Sequence, residues 1–423
     1  MEMSRNVFTF NYKKSYNRSI ITSLFMFQIF GILLAILSNE EVNMISIYLS
    51  IAFVFATLFS NIYIPKITKS DSTFILIVNM LYSISVIMIM RLSSNLVIKH
   101  IIWYLSGLVI LLIVYYFMKF FDKILKGKFL LFFIITTLTF IVTLALGFTS
   151  GGAKNWIDVG GLFSLQLSEF GKISFIFMIA SYYYKYDEFT RNRIGKYYLI
   201  LSTYIFALLF FLQGELGTAM IFFGLLISNM FIFEKRYIFI VLNIILALVG
   251  VYLASLVLPH IKVRIDIWLD PWKDFNERGY QIIQSLFAIA SGGFFGTGIG
   301  LGMPDLVPVV ESDFILTAII EEMGMFMGFS IILMYILLFY KTLKLSLEFS
   351  SKYYSSLSLS IGLIYAMQAL IMFGGILKLI PLTGITTPFL SYGGSSTVSN
   401  FILLSILQYL SQKAGEGNEK FKK

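Results

Sequence analysis

Apolar runs of about twenty residues recur along this chain, and that is the length a helix needs to cross a bilayer. They fall near 19–38, 44–64, 73–90, 101–121, 129–148, 173–184, 197–212, 217–233, 237–258, 314–340, 356–379 and 397–411. The sixth is short, but Leu165 to Phe170 extend it backwards through a polar first turn. Twelve such runs use ~240 positions, close to the 58% hydrophobic share of the 423 residues. Only 13% of the residues are charged, against about 25% in soluble domains, which excludes an ordinary globular enzyme. The expected fold is all-α: a polytopic membrane protein with about twelve transmembrane helices and long outer loops containing an interfacial or re-entrant helix. A mostly polar stretch with Arg5, Lys13, Lys14 and Arg18 precedes the first run, and no small-residue cleavage site follows it, so no cleavable signal is expected.

Charge gives a second, independent signal. With the N-terminus placed in the cytoplasm, the inside segments hold twenty-three of the thirty-two basic residues and the outside segments nine. That asymmetry follows the positive-inside bias and puts both termini in the cytoplasm. The net charge of +9 is then mostly topology, with anionic lipid headgroups as the partner. No basic patch with interleaved aromatics stands apart from the membrane flanks, so no nucleic-acid partner is expected. Zero cysteines exclude disulfides, iron–sulfur clusters and thiolate metal sites, and His100 and His260 are too few for a multi-histidine centre.

Three outer segments, 149–172, 259–313 and 380–396, concentrate the glycine, proline and acidic residues. In the first, four glycines between Thr149 and Gly161 predict a folded loop around Trp156, a residue type that also anchors helices at membrane interfaces. Gln166, Glu169 and Lys172 follow at a spacing of three and so share one helical face. Charges inside a span are costly unless paired or facing water, so this face predicts either a polar cavity or a structural Glu169–Lys172 pair. Gln213-Gly-Glu215 interrupts the next two spans with a further carboxylate.

In the second segment, residues 280–290 are amphipathic and too short to span, which predicts an interfacial or re-entrant helix. Gly296-Thr-Gly-Ile-Gly-Leu-Gly302 resembles a dinucleotide fingerprint only superficially, because no strand precedes it. Asp266, Asp270 and Asp274 have a spacing that could bind a divalent cation, but the Pro271 break favours a solvated loop. Asp313 opens the tenth span, as catalyst or as helix cap. Glu321 and Glu322 lie two to three turns deeper, where they need partners such as Lys172 or backbone amides, or else stay protonated. The third segment, Pro381-Leu-Thr-Gly through Pro388-Phe-Leu-Ser-Tyr-Gly-Gly-Ser-Ser396, reads as a broken or re-entrant stretch, with Asn400 in the helix beyond.

Together, the motifs between about 150 and 412 resemble the SEDS family, the FtsW/RodA/SpoVE proteins of bacterial cell-wall synthesis. The strongest elements are Pro381-Leu-Thr-Gly…Ser396, Gly279-Tyr-Gln…Gly-Thr-Gly-Ile-Gly and Asp313-Phe-Ile…Glu-Glu-Met-Gly324. The usual Gln-Pro-Ser-Glu stands here as Gln166-Leu-Ser-Glu169, and the Gln-Pro-Asp turn as Gln213-Gly-Glu215. Asn155 replaces the usual basic residue before the tryptophan, and Glu311 the usual histidine. The resemblance implies ten spans, and here the tryptophan loop follows five spans rather than three. The division is therefore 1–149 as N-terminal tail and five helices, two of them extra and expected to be dispensable for chemistry. Residues 150–412 form the catalytic core and 413–423 a cytoplasmic tail.

What the resemblance implies is polymerisation of lipid II into glycan strands by inverting glycosyl transfer at the outer face of the bacterial cytoplasmic membrane. The context is division, elongation or sporulation, with a class B penicillin-binding protein and divisome or elongasome proteins as partners. Asp313 is the expected catalytic base, because pyrophosphate leaves readily and one carboxylate to deprotonate the sugar hydroxyl suffices. Trp156, Gln166, Glu169, Lys172, Arg264, Glu322, Ser391 and Ser395 are the expected substrate contacts. Cationic support for the pyrophosphate falls to Lys172, Lys262, Arg264 or a divalent cation, Mg or Mn. The competing readings are a lipid II flippase and a non-catalytic scaffold for the transpeptidase.

Overall fold

The computed structural model describes residues 18–39, 42–161, 163–234, 236–275 and 277–420, so the expectations for Arg5, Lys13, Lys14, Lys235, Lys422 and Lys423 lie outside the described residues. Five helices lead: α1 Arg18–Leu37, α2 Met44–Thr68, α3 Ser72–Leu92, α4 Ser94–Leu125 and α5 Phe129–Leu146. After a small sheet come α6 Leu167–Tyr184, α7 Tyr186–Arg191, α8 Tyr198–Gln213, α9 Leu216–Phe233 and α10 Tyr237–Val257. The segment after α10 carries α11 Pro259–Leu269 and α12 Tyr280–Gly292, and then α13 Ile315–Glu348, α14 Lys352–Ile376 and α15 Gly394–Lys420 complete the bundle.

Among the described residues, ten helices are long and apolar enough to cross a membrane, and the chain is a polytopic helical membrane protein. Two long helices of the expected twelve, α6 and α15, are not in that set. Both are buried along most of their length, against α5 and α14 in one case and α4 in the other, so their side chains meet protein rather than lipid. A helix in that position tolerates the serines, glutamines and charges that these two carry. α15 continues through Lys420, so residues 413–420 extend a helix rather than form a separate tail.

The tryptophan segment is a three-stranded antiparallel sheet, β1 Phe148–Ser150, β2 Ala153–Val159 and β3 Phe163–Leu165, where an irregular loop was expected. Ser150 pairs with Ala153 across a Gly151-Gly152 turn, and Ile157 pairs with Leu165. A two-residue glycine turn of this kind matches the twist of a hairpin. Lys154 ties the sheet to the bundle by donating to the Leu144 carbonyl at the end of α5 (2.6 Å).

α13 is interrupted at Gly324, whose φ of 81° and ψ of 167° are not helical. The interruption frees backbone groups inside the protein, and the segment after α12 satisfies them. Thr297 and Gly298 amides donate to the Glu321 and Glu322 carbonyls, while Met325 and Phe326 amides donate to the Gly293 and Phe294 carbonyls (2.9–3.1 Å). Irregular backbone at such depth survives where protein supplies these partners. The fit requires glycine on both sides: a Cβ at Gly296 would lie 2.2 Å from the Glu322 carbonyl oxygen, and one at Gly324 2.3 Å from that of Phe294. This close approach, not a nucleotide, explains the glycine-rich run.

Candidate functional site

The site begins where the chain turns into α13. Phe314 holds the N-cap position without a side-chain cap bond, so the capping role open to Asp313 is not made. Asp313 is partly buried, and its Oδ1 accepts a hydrogen bond from the Ser312 hydroxyl (3.2 Å). Burial pushes its carboxyl above the ordinary aspartate range; the Ser312 bond and the Arg264 charge pull it back, and Glu311 adds upward. Arg264, from α11, donates to the Thr383 carbonyl (2.7 Å) and forms no ion pair with Asp313. Burial lowers its pKa and the Asp313 charge opposes that.

Gly384 shows where the two side chains converge. A Cβ built there would sit 3.5 Å from Asp313 Oδ2 and 3.6 Å from an Arg264 terminal nitrogen. Its φ of +73° disfavours other residues, so the backbone passes beside the two charges at a glycine. The irregular stretch between α14 and α15 thus forms one wall of the site. Ser391 fixes that wall by donating to the Ser312 carbonyl (2.7 Å) and accepting from the Thr387 amide (2.9 Å). The Tyr392 amide donates to the Glu311 carbonyl (3.0 Å), and Tyr335 hydrogen-bonds the Pro388 carbonyl. Ser391 is therefore a scaffold for the Asp313 turn.

A second polar group lies between α6, α9 and α15. Lys172 Nζ donates to Glu169 Oε1 (2.7 Å), and the Ser399 hydroxyl donates to Glu169 Oε2 (2.6 Å). Lys172 is 1% exposed and Glu169 4%. Gln166 and Ser168 donate to Glu215 Oε1 (3.0 and 3.2 Å), as does Thr218. Ser395 accepts from the Gln166 amide and donates to the Ser164 carbonyl, joining this group to β3. Trp156 is half-buried in β2, opposite Phe148.

The expected approach of Lys172 to Glu322 is corrected. Glu322 pairs with Arg91 at the end of α3 (3.1 Å) and accepts from the Gly300 amide (3.1 Å), while Glu321 accepts from the Met303 amide (2.8 Å). The two carboxylates hold the glycine-rich segment, and Lys172 is matched within its own helix. Arg91 is easy to overlook in the sequence because it flanks an ordinary apolar run; a lone arginine at a span end, with two buried glutamates to answer, is the available signal. Ser399 and Thr218 carry no signal beyond being hydroxyls in spans.

Asp270 closes α11 and accepts from the Trp272 amide (3.2 Å), so the Asp266, Asp270 and Asp274 row does not continue along one helix. Among the described residues no three His, Asp or Glu side chains group to hold a metal.

Residues 66–416 match the family model described as cell cycle protein, FtsW, RodA and SpoVE. The chain belongs to this family. The family match starts near the end of α2, so α1 and most of α2 precede it. The peptidoglycan glycosyltransferase RodA of Mycobacterium tuberculosis strain H37Rv is 35% identical over 277 residues, 62% of this chain and 58% of the relative. Stage V sporulation protein E of Bacillus subtilis is 32% identical over 284 residues, 65% of this chain and 76% of that protein. The chain thus spans less than two thirds of the RodA relative's length. Among solved structures, a peptidoglycan synthase complex coordinating polymerization and crosslinking shares the fold, with a TM-score of 0.64, 21% identity and coverage of 82% of this chain and 98% of that one. The rod shape determining protein RodA of Thermus thermophilus gives 0.58, 19%, 81% and 97%.

Proposed function

We propose that this family member polymerises a lipid-pyrophosphate-linked disaccharide, lipid II, into glycan strands by inverting glycosyl transfer. The observation that carries the reading is the convergence of a carboxylate and a guanidinium beside Gly384. Asp313 removes the proton from the acceptor sugar hydroxyl as that oxygen attacks the anomeric carbon and the pyrophosphate departs. A carboxyl lifted by burial is a stronger base than a solvated one, which suits that task. Arg264 converges on the same glycine and neutralises charge that grows on the leaving pyrophosphate. Its bond to Thr383 holds the guanidinium in place before substrate arrives.

The names of the curated relatives support this activity. The structural neighbour, a synthase complex in which polymerization and crosslinking are coordinated, supports a transpeptidase partner, which we assign to the class B penicillin-binding proteins. The basic-residue asymmetry supports the cytoplasmic membrane with both termini inside. Trp156, Gln166, Glu169, Lys172 and Ser395 frame the substrate path from the side of α6 in this reading, with Lys172 acting through Glu169 rather than as a free cation. Incubating the purified chain, with and without its partner, with labelled lipid II tests the proposal. Glycan polymer is the expected product; movement of lipid II across a vesicle bilayer without polymer would favour a flippase.

A further inference from the structure

Far from Asp313, at the end of the bundle where α4 turns into α5 and α6 passes to α8, lies a cavity of about 550 Å³. Leu131 and Phe133 of α5 face Leu201 and Ile205 of α8 across it, and Lys128 and Lys185 stand among its lining residues. The lysines are set by the helix ends: Lys128 is the residue before α5, and Lys185 the residue after α6. Gly127 brings the two turns together, since a Cβ there would meet the Tyr184 ring at 2.9 Å. Phe133 and Ile205 lie five and seven residues into the region, roughly 8–10 Å below the lysines at 1.5 Å per residue. The cavity therefore has a cationic mouth and an apolar trough.

Neither lysine is consumed by the fold. Lys128 is exposed and makes no ion pair among the described residues. Lys185 reaches Glu188 at 3.3 Å, but both side chains are exposed, and such pairs hold little energy. Leu201 and Ile205 are 50% and 44% exposed, so the trough opens sideways from the bundle. An apolar slot with cations at one end is complementary to a molecule with a chain below and a phosphate above. This end also carries Lys126, Arg191, Arg193 and Lys196, the basic excess that marks an inner leaflet.

We propose that this trough binds one anionic glycerophospholipid, its phosphate beside Lys128 and Lys185 and an acyl chain between α5 and α8. The site is independent of the glycosyltransferase reading. Native mass spectrometry of the full chain in detergent, with phosphatidylglycerol or phosphatidylcholine of matched chains, tests it. Phosphatidylglycerol should be retained preferentially as one tight equivalent. Lys128→Gln with Lys185→Gln should lower that retention at least ~5-fold, because each basic residue near the surface adds a several-fold preference for anionic lipid. Both lysine side chains reach solvent, so the fold should persist, and an unchanged melting temperature without lipid checks this. Leu201→Trp, which fills the trough and leaves the charges, should also lose the bound lipid. Equal retention of the two lipids would overturn the proposal. So would full retention by the double variant, an equal loss in Lys69→Gln at another basic turn, or matching stabilisation by glycerol phosphate alone.

Discussion

Glu169 and Asp313 are both carboxylates near helix ends, the first buried and the second partly buried, and they differ in what their oxygens have left to do. Glu169 is 4% exposed and spends one oxygen on Lys172 and the other on Ser399. Asp313 receives one hydroxyl on Oδ1, while Oδ2 accepts no hydrogen bond among the described residues and lies beside Gly384. A satisfied buried pair holds helices together, whereas a carboxylate with an oxygen left unbonded can take a proton. In the proposed function, the contrast separates residues that build the site from the one assigned to act in it.

The largest effect should come from the acting residue. Asp313→Asn keeps size and the Ser312 contact, so expression and melting temperature should stay near wild type while polymerisation falls by at least ~100-fold, the scale of a lost general base. Arg264→Gln should follow, lowering turnover by about tenfold or more through lost charge stabilisation. Because its positive charge holds the Asp313 carboxyl down, its removal should also move the acidic limb of the rate–pH profile upward. In the wild type that limb should already lie above the ordinary aspartate value of about 3.9, since the base works only when deprotonated and burial raises its pKa.

The building residues should respond in the other coordinate. Lys172→Met strands a buried carboxylate, and breaking such a pair costs about 3–5 kcal/mol, read as a lower melting temperature. Glu169→Gln in the same chain should restore part of that stability, with Glu322→Gln giving no rescue because Glu322 answers to Arg91. The smallest effect on chemistry should follow deletion through residue 68. That deletion removes Gln28, which donates to Ser83 of α3 (2.8 Å), and Ser38, which packs on Gly300, so stability should drop while polymer is still made. A deletion variant that folds yet makes no polymer would give α1 and α2 a place in the site.

Much of this was legible in the sequence because membrane spans write themselves as length and hydropathy, and because the outer motifs are long. The Gln166, Glu169, Lys172 spacing marked one polar face and left a cavity or a Glu169–Lys172 pair open; the structure shows the pair. What stayed hidden has a common cause: pairings between helices distant in sequence. Arg91 and Glu322 are 231 residues apart, and nothing in either local pattern specifies which acid a lone arginine meets. The sheet around Trp156 was obscured because its glycines read as loop, although they are hairpin turns. The interruption at Gly324 was hidden because a single glycine does not by itself end a helix, although Glu321 and Glu322 just before it break the apolar run.

The central claim is that Asp313 acts and Glu169 with Lys172 builds. It is tested most directly by measuring lipid II polymerisation and melting temperature side by side for Asp313→Asn and Lys172→Met. The predicted result is a crossed pattern: Asp313→Asn folded and inactive, Lys172→Met destabilised but turning over at low temperature in the fraction that stays folded. Near wild-type polymer from Asp313→Asn, or a fully stable Lys172→Met that makes none, would contradict it.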